Sequence, residues 1–329
     1  MKRSIFTATL VAATALSANT VHAQQQDASL SLAGAQSSAY VLGGGLAEVI
    51  NAQSDIVSLS AQTSQGFSAN IRLVNAGDAD FGLAAAPTFY EALRGVGEFN
   101  EKYGDIRAVT GVWPAFLHCV AYADSGIDSV ADLEGKRISV GLPATSGAVV
   151  TQTLLEAAGL WDKIQPVYQN PSQSADGMRD GKLDVMCANS GGAFPAFVGL
   201  ASGGQLKLIP WDQNVLEQAA ESIPGRSVGV ITAGTYSWQS EDAPSIGHWT
   251  FLFANKDVPA PMVADMLDIM LSEAGRATLL TYGEGWKDIP DGPLDDVLVS
   301  VGLPFHDGAV DYWAGKGMML PEIANVADQ

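Results

Sequence analysis

The stretch I-R-A-V-T-G-V-W-P-A-F-L-H-C-V-A-Y, Ile106–Tyr122, is a long apolar run that predicts one or two long β-strands. A second strand of this kind is predicted at His248–Ala254. Each is able to run from one lobe of a protein into another. A chain that leaves a first lobe on one strand, builds a second lobe and returns on the other strand has a two-stranded hinge. The arrangement predicts a ligand cleft between the lobes, at the carboxyl ends of the strands.

The remaining sequence alternates short apolar strands with amphipathic helices, which is typical of α/β proteins. The chain has 329 residues, a length that suits two lobes better than one core. We predict lobe I from residues 24–118 plus 251–329 and lobe II from residues 119–250.

The N-terminus has the pattern of an export signal. Lys2 and Arg3 precede an apolar run from Ile5 to Leu16, and Val21-His22-Ala23 is a cleavage site of small-residue type. We expect cleavage after Ala23 and a periplasmic mature protein. No later apolar run approaches the roughly 18–20 residues that cross a bilayer, so we expect no membrane insertion of the mature chain.

Charge limits the possible partners. The net charge is −19 at pH 7, and loss of Lys2 and Arg3 with the signal changes it to −21. Such a chain repels nucleic acid and anionic membranes. An anionic ligand would have to be held by local dipoles. We expect a monomer.

The two cysteines, Cys119 and Cys187, each lie in an apolar run. Export permits a disulfide, but unpaired cysteine is commonly a small buried hydrophobe. We expect two buried free thiols, with a bridge as the alternative.

Two stretches place hydroxyl residues and glycine where helices begin: Thr63–Asn70 and Pro143–Ala148. Backbone N–H groups at a helix N-terminus bind anions well, and Gly147 would let a ligand approach the backbone. The alternative is an ordinary helix cap at each place, made by Ser68 in the first stretch and by Thr145 or Ser146 in the second. The candidate ligand contacts from these stretches are Ser64, Phe67, Ser68, Asn70, Thr145, Ser146 and Gly147.

Further candidates lie at strand ends and in loops. Asn189 and Gly192 follow a strand and leave room for a ligand, although a tight turn before Pro195 explains them equally. Tyr40 and Trp113 are candidate cleft aromatics, with core packing as the alternative.

Enzyme and metal motifs are absent from the sequence. Histidines are scattered, and neither a metal-ligand spacing, a G-x-S-x-G elbow nor a phosphate-binding loop occurs. We expect a binding protein with no catalytic residues, no metal and no cofactor.

Motifs spread over almost the whole mature chain resemble the TAXI class of solute-binding proteins, which serve TRAP transporters. They are Tyr40–Ala47, Asn70–Leu73 with Gly77–Asp80, Asp124–Ile127 with Ala131–Arg137, Ser146-Gly147, Asp180–Asp184 and Pro304–Ala309. The chain departs from that family at Phe67, where a hydroxyl is usual, at Ala85, where glutamine is common, and at Ala39, where a first tyrosine is common.

The resemblance implies a two-lobed periplasmic binding protein, type II-like, that delivers a small organic acid to a TRAP membrane permease. A binding protein of an ABC importer has the same architecture and is the first alternative. A periplasmic enzyme on the same fold is the second. The apolar residues at Phe67 and Ala85 argue against glutamate or 2-oxoglutarate and favour an acid with an apolar end.

Overall fold

The computed structural model of the chain describes residues 25–35, 37–143 and 145–328. The predicted signal peptide, Met1–Ala23, lies outside the described residues. Ser146 begins a helix, but its side chain is likewise outside the described part.

The described chain alternates strands and helices, as its pattern of apolar residues predicts. The strands are β1 Gln26–Ser31, β2 Val57–Gln62, β3 Phe81–Ala85, β4 Ile106–Tyr122, β5 Arg137–Gly141, β6 Gln165–Tyr168, β7 Val185–Ser190, β8 Leu206–Leu208, β9 Arg226–Ile231 and β10 Ala243–Asn255. The helices are α1 Ser38–Gln53, α2 Phe67–Ala76, α3 Ala86–Arg94, α4 Ser146–Ala157, α5 Pro171–Arg179, α6 Pro195–Leu200, α7 Gln213–Glu221, α8 Ala260–Leu271, α9 Glu273–Leu280, α10 Asp295–Val301 and α11 Asp307–Gly315.

A single sheet runs through the molecule in the order β2-β1-β3-β10-β4-β7-β5-β6, with β8 paired to β4 and β9 paired to β10. The strands β1, β2 and β3 are parallel to one another, and β5 is parallel to β6 and β7. The long strands β4 and β10 are antiparallel to each other and join the two parallel groups. This confirms the predicted α/β architecture with two crossing strands.

The hydrogen-bond ladder between the two crossing strands, β4 and β10, is interrupted near its centre. Pro114 lies within β4 and has no N–H to donate to the ladder. The pairing of β4 with β10 shifts register between Thr250 and Phe251, next to this proline. Interruptions of this kind bend a strand locally, so bending is concentrated at the midpoint of the crossing.

The apolar core falls into separate clusters on the two sides of the crossing. One cluster draws on residues 28–113 and 251–313. The other two draw only on residues 117–246. Each group of helices therefore buries its apolar face against its own part of the sheet.

Two sequence predictions are corrected. Cys119 and Cys187 form a disulfide, so the expectation of free thiols is wrong. The two cysteines lie directly opposite each other on the antiparallel strands β4 and β7, which brings their side chains together. Ser68 does not cap α2, since the helix begins at Phe67 and Gly66 occupies the cap position without a side-chain cap.

Candidate functional site

The carboxyl ends of strands from the two sides of the crossing lie close together near the middle of β4. Ala85, the last residue of β3, lies opposite Thr250 of β10, which in turn lies opposite Trp113 of β4. Ser190, the last residue of β7, lies opposite Phe116. Three residues of strand, about 10 Å, therefore separate the two sets of carboxyl ends along β4. This is where a doubly wound protein places its ligand.

A cavity of about 220 Å³ lies at the strand ends of residues 117–246. Three sequence candidates line it, namely Thr145, Gly147 and Asn189. Its wall also includes Gln169, whose buried Oε1 has no hydrogen-bond partner in the described structure. Among the described residues, the lining contains no ionisable side chain, so they offer hydroxyl, amide and backbone groups to a ligand.

Thr145, one of the two residues that the sequence offers as a cap, is the cap of α4. Its Oγ1 accepts a hydrogen bond from the N–H of Ala148 at 3.3 Å and donates one to the carbonyl of Leu142 at 2.8 Å. The remaining N–H groups of the first turn have no acceptor within the helix. Gly147 adds no side chain there: a Cβ at this residue would meet only Thr145 Oγ1, at 4.0 Å. The start of α4 is therefore open to a ligand.

The start of α2 has a different construction. Gly66 has φ = 113°, a conformation that residues with a side chain rarely adopt. Its N–H donates to Ser64 Oγ at 3.0 Å. Ser68 follows in the first turn and is half-buried. Backbone N–H groups, rather than a side-chain cap, form this helix terminus.

Asn70 lies in the first turn of α2, and its side chain stabilises this turn through hydrogen bonds to neighbouring segments. Its Oδ1 accepts from Ser31 Oγ at 2.7 Å and from Ser64 Oγ at 2.6 Å. Its Nδ2 donates to the carbonyls of Leu32 at 2.6 Å and Leu83 at 2.7 Å. These bonds use the full capacity of the amide, and the residue is fully buried. The side chain of Asn70 therefore positions the loop and has no hydrogen bond left for a ligand.

The three aromatic candidates lie at different depths. Tyr40 and Phe67 are half-buried and pack at the edge of the larger core. Trp113 is 4% exposed, and its ring meets Trp286 edge to face with 5.0 Å between centroids. Core packing, the alternative left open for Trp113, is what the structure shows.

A second cavity, of about 350 Å³, lies beside the crossing strands. The loop that ends β7 separates the two cavities: Gly192 lines this one, whereas Asn189 and Phe194 line the smaller one. The wall of the second cavity comes from both sides of the crossing, with Pro114, Phe116, His118, Ser190, Gly191, Gly192, Thr232, Trp249, Lys287 and Asp288 among its residues.

The loop after β7 is held by a network that sequence analysis missed. His118 Nδ1 and Tyr236 Oη lie 2.7 Å apart, and Tyr236 Oη accepts a hydrogen bond from the N–H of Phe194 at 3.0 Å. Burial lowers the pKa of His118 to about 4, against a hydrogen bond to the Ser190 backbone that raises it. His118 is therefore neutral at pH 7 and fixes the loop. Nothing in the sequence signals this partnership, since the two side chains are 118 residues apart.

The described residues form neither a metal-binding cluster nor a membrane-spanning helix. Within the ranges 25–35, 37–143 and 145–328, no three histidine, cysteine, aspartate or glutamate side chains are grouped so that they would hold a metal ion. In the same ranges, no helix is both long enough and apolar enough to span a bilayer.

A model of the NMT1-like family matches residues 31–317. The chain belongs to the NMT1-like family. The match covers both sides of the crossing and all of the candidate site residues. It does not confirm the narrower resemblance to TAXI proteins.

Solved structures show the same fold at low sequence identity. The periplasmic binding protein BugD aligns with a TM-score of 0.52 and 12% identity, over 90% of this chain and 99% of that one. A binding protein component of an ABC phosphonate transporter from Pseudomonas aeruginosa gives 0.51 and 15%, over 83% and 84%. The periplasmic aliphatic sulphonate binding protein SsuA from Escherichia coli gives 0.50 and 14%, over 91% and 90%. This NMT1-like chain thus has the two-lobed fold of periplasmic binding proteins.

Proposed function

We propose that the protein is an exported solute-binding protein that holds a small organic anion between its lobes and passes it to an importer in the membrane. One observation carries the proposal: the strand ends of both sides converge on Trp113–Phe116 of β4. Contacts from both lobes stabilise a closed form around the ligand, which a transporter is able to distinguish from the open form.

Binding without catalysis is the role that these contacts support. His118 lines the second cavity and is hydrogen-bonded to Tyr236. Burial lowers the pKa of His118 to about 4. A general base works best with a pKa near the working pH. The enzyme alternative predicts turnover of a bound acid, so recovery of the unchanged acid after prolonged incubation with the protein contradicts it.

We propose an ABC importer as the membrane partner, with a TRAP permease as the alternative that the motif resemblance supports. Membership of the NMT1-like family and the fold shared with a component of an ABC phosphonate transporter favour the first. The test is uptake into right-side-out membrane vesicles from the organism that makes this protein, with the purified protein added. Uptake that needs ATP supports the ABC partner, and uptake driven by a cation gradient without ATP supports the TRAP partner.

The ligand is an acid with an apolar end. Phe67 is half-buried at the start of α2, and Ala85 is buried at the end of β3. An apolar wall does not satisfy a second buried charge.

Calorimetry with 2-oxoglutarate, glutamate, 2-oxo-4-methylpentanoate, phenylpyruvate and ethanesulfonate tests this ligand class. We expect binding of at least one acid with an apolar end and weak or no binding of the two dicarboxylates. Tight binding of glutamate or 2-oxoglutarate alone contradicts the ligand class but not the binding function. Absence of binding by every acid contradicts the proposed function.

A further inference from the structure

Three polar side chains form a strip across the crossing strands. His248 and Thr250 are two residues apart on β10, so both side chains project from the same face of the sheet. Arg226 of β9 lies directly opposite His248, so its side chain leaves that face too. The guanidinium of Arg226 thus lies beside the imidazole of His248, and the hydroxyl of Thr250 lies beside that imidazole along β10 on the same face of the sheet.

Two members of this strip are buried without a hydrogen-bond partner. Thr250 is 1% exposed and His248 is 3% exposed. Thr250 Oγ1 and His248 Nδ1 have no partner in the described structure. A buried polar atom left in this state costs about 1–3 kcal/mol. Two such atoms side by side on one face indicate that a polar group binds there.

The neighbours of the strip on the adjacent strands are two alanines and a tryptophan. Thr250 lies between Ala85 and Trp113 in the register, and His248 lies opposite Ala115. Both alanine side chains are small and buried. Trp113 borders the loop after β7, since a Cβ on Gly191 would lie 3.1 Å from its Cδ1. The strip is therefore part of the region where the strand ends converge.

Arg226 supplies positive charge at this place. Its Nε and Nη1 are buried. Burial lowers the pKa of Arg226 to about 10, and the Glu91 carboxylate raises it by a smaller amount. The guanidinium is therefore charged at pH 7 in a poorly solvated place, where an anion interacts strongly with it.

The first turn of α3 adds to the positive electrostatic potential near Arg226. A Cβ on Gly225 would lie 2.8 Å from the carbonyl carbon of Ala86 and 2.9 Å from the nitrogen of Pro87. The residue next to Arg226 thus packs on the helix N-terminus, whose partial positive charge favours anions.

We propose that Arg226, His248 and Thr250 bind the anionic head group, a carboxylate or sulfonate, of the ligand at the hinge. This proposal rests on the proposed function and names the residues that recognise the charge. The guanidinium pairs with the head group, the Thr250 hydroxyl donates to one of its oxygens, and neutral His248 donates through Nδ1. The Thr250 hydroxyl also supplies a polar group opposite Ala85, the position at which the sequence suggested an apolar wall.

The test uses Thr250→Val, which removes the hydroxyl and keeps the shape of the side chain. Because that hydroxyl has no partner in the described structure, the melting temperature of the ligand-free variant should equal or exceed that of the wild type. Affinity for 2-oxo-4-methylpentanoate should fall at least tenfold, and affinity for ethanesulfonate should fall likewise. Thr110→Val is the matched control, since Thr110 is a buried strand threonine of β4 whose Oγ1 donates to the Gly111 carbonyl.

A second variant, Arg226→Gln, tests whether the guanidinium recognises the negative charge of the ligand. Wild-type protein should prefer 2-oxo-4-methylpentanoate to its neutral amide, and Arg226→Gln should remove most of that preference whatever its effect on stability. Binding of the acids with unchanged affinity in Thr250→Val, or an unchanged preference in Arg226→Gln, overturns the head-group site and leaves the binding function standing. Equal losses in Thr250→Val and Thr110→Val also overturn it. Failure of every acid to bind the wild type overturns both proposals.

Discussion

At Gly147 a side chain would extend into open space, which makes this residue a clean probe of the α4 terminus. Because a Cβ there meets no atom closer than 4.0 Å, Gly147→Val should fold normally. The valine side chain should nevertheless stand where a ligand approaches the free N–H groups, and we expect a loss of more than about 2 kcal/mol of binding free energy by calorimetry. Gly199→Val in α6 is the control, since a Cβ at Gly199 also meets open space. Unchanged affinity in folded Gly147→Val contradicts a role for this terminus.

Buried histidines should make the protein less stable in mild acid. Burial lowers the pKa of His118 to about 4 and of His248 to about 3, and it lowers the pKa of His306 as well. In the unfolded chain each titrates near 6.5. Their stabilising effect is therefore complete above about pH 6.5 and falls as the pH drops toward the folded-state values, because the unfolded chain binds more protons.

Urea unfolding at pH 7, 6 and 5 measures this dependence. We expect a loss approaching about 1 kcal/mol per pH unit for each histidine at the acid end of the range. His118→Gln should lower the slope by one histidine's share, and the comparison cancels the contribution of other groups such as Glu91, whose pKa is raised by burial. An identical slope in the variant contradicts the low pKa of His118.

At the residue scale, sequence predicts local chemistry better than long-range contact. A hydroxyl residue just before a helix predicts a cap, and the sequence limits the cap of α4 to Thr145 or Ser146, of which the structure shows Thr145. The four hydrogen bonds of Asn70 join segments up to 39 residues apart, and no local pattern signals them. The burial of Trp113 depends in the same way on Trp286, which comes from a distant part of the chain. The contacts of the candidate residues with a ligand stay predictions.

At the element scale, the disulfide joins the crossing strand β4 to β7. Cys119 and Cys187 close a loop with a sequence separation of 68, so the chain-entropy model predicts about 4 kcal/mol of stabilisation. We expect Cys119→Ala/Cys187→Ala to lose about 2–4 kcal/mol in urea unfolding. In the wild type, both residues are at most 4% exposed, so reductant should release thiols only when denaturant is present. Rapid release of thiols from the native protein contradicts this burial.

Strands with uninterrupted apolar sequence were predicted best. The predicted bounds of β4, Ile106–Tyr122, are those of the structure. The helix α3 follows β3 without any loop residue, so no turn signal marks its start at Ala86. The strand β9 is partly exposed along most of its length and has little apolar pattern to reveal it. Pairing with β10, a contact distant in sequence, is what makes β9 a strand.

At the scale of the whole molecule, we expect the two crossing strands to act as the hinge between the lobes. Pro114 and the register shift beside it weaken the ladder between β4 and β10 at its midpoint. Gly247 lies opposite Phe116, where a Cβ would come within 2.6 Å of the Ala115 carbonyl. The interruption of the ladder at Pro114 favours a hinge there. The lobe boundaries at residues 118/119 and 250/251 stay a prediction.

Ligand should draw the lobes together, because both lobes supply contacts to one cleft. We expect small-angle scattering to give a smaller radius of gyration with saturating 2-oxo-4-methylpentanoate than without it. The energy of closure comes from contacts that exist only in the closed form, so a variant that loses them should compact less. Thr250→Val at the same concentration of acid should therefore give a curve closer to that of the ligand-free protein, and Thr110→Val should follow the wild type. A radius of gyration that is unchanged by an acid that calorimetry shows to bind contradicts closure about this hinge.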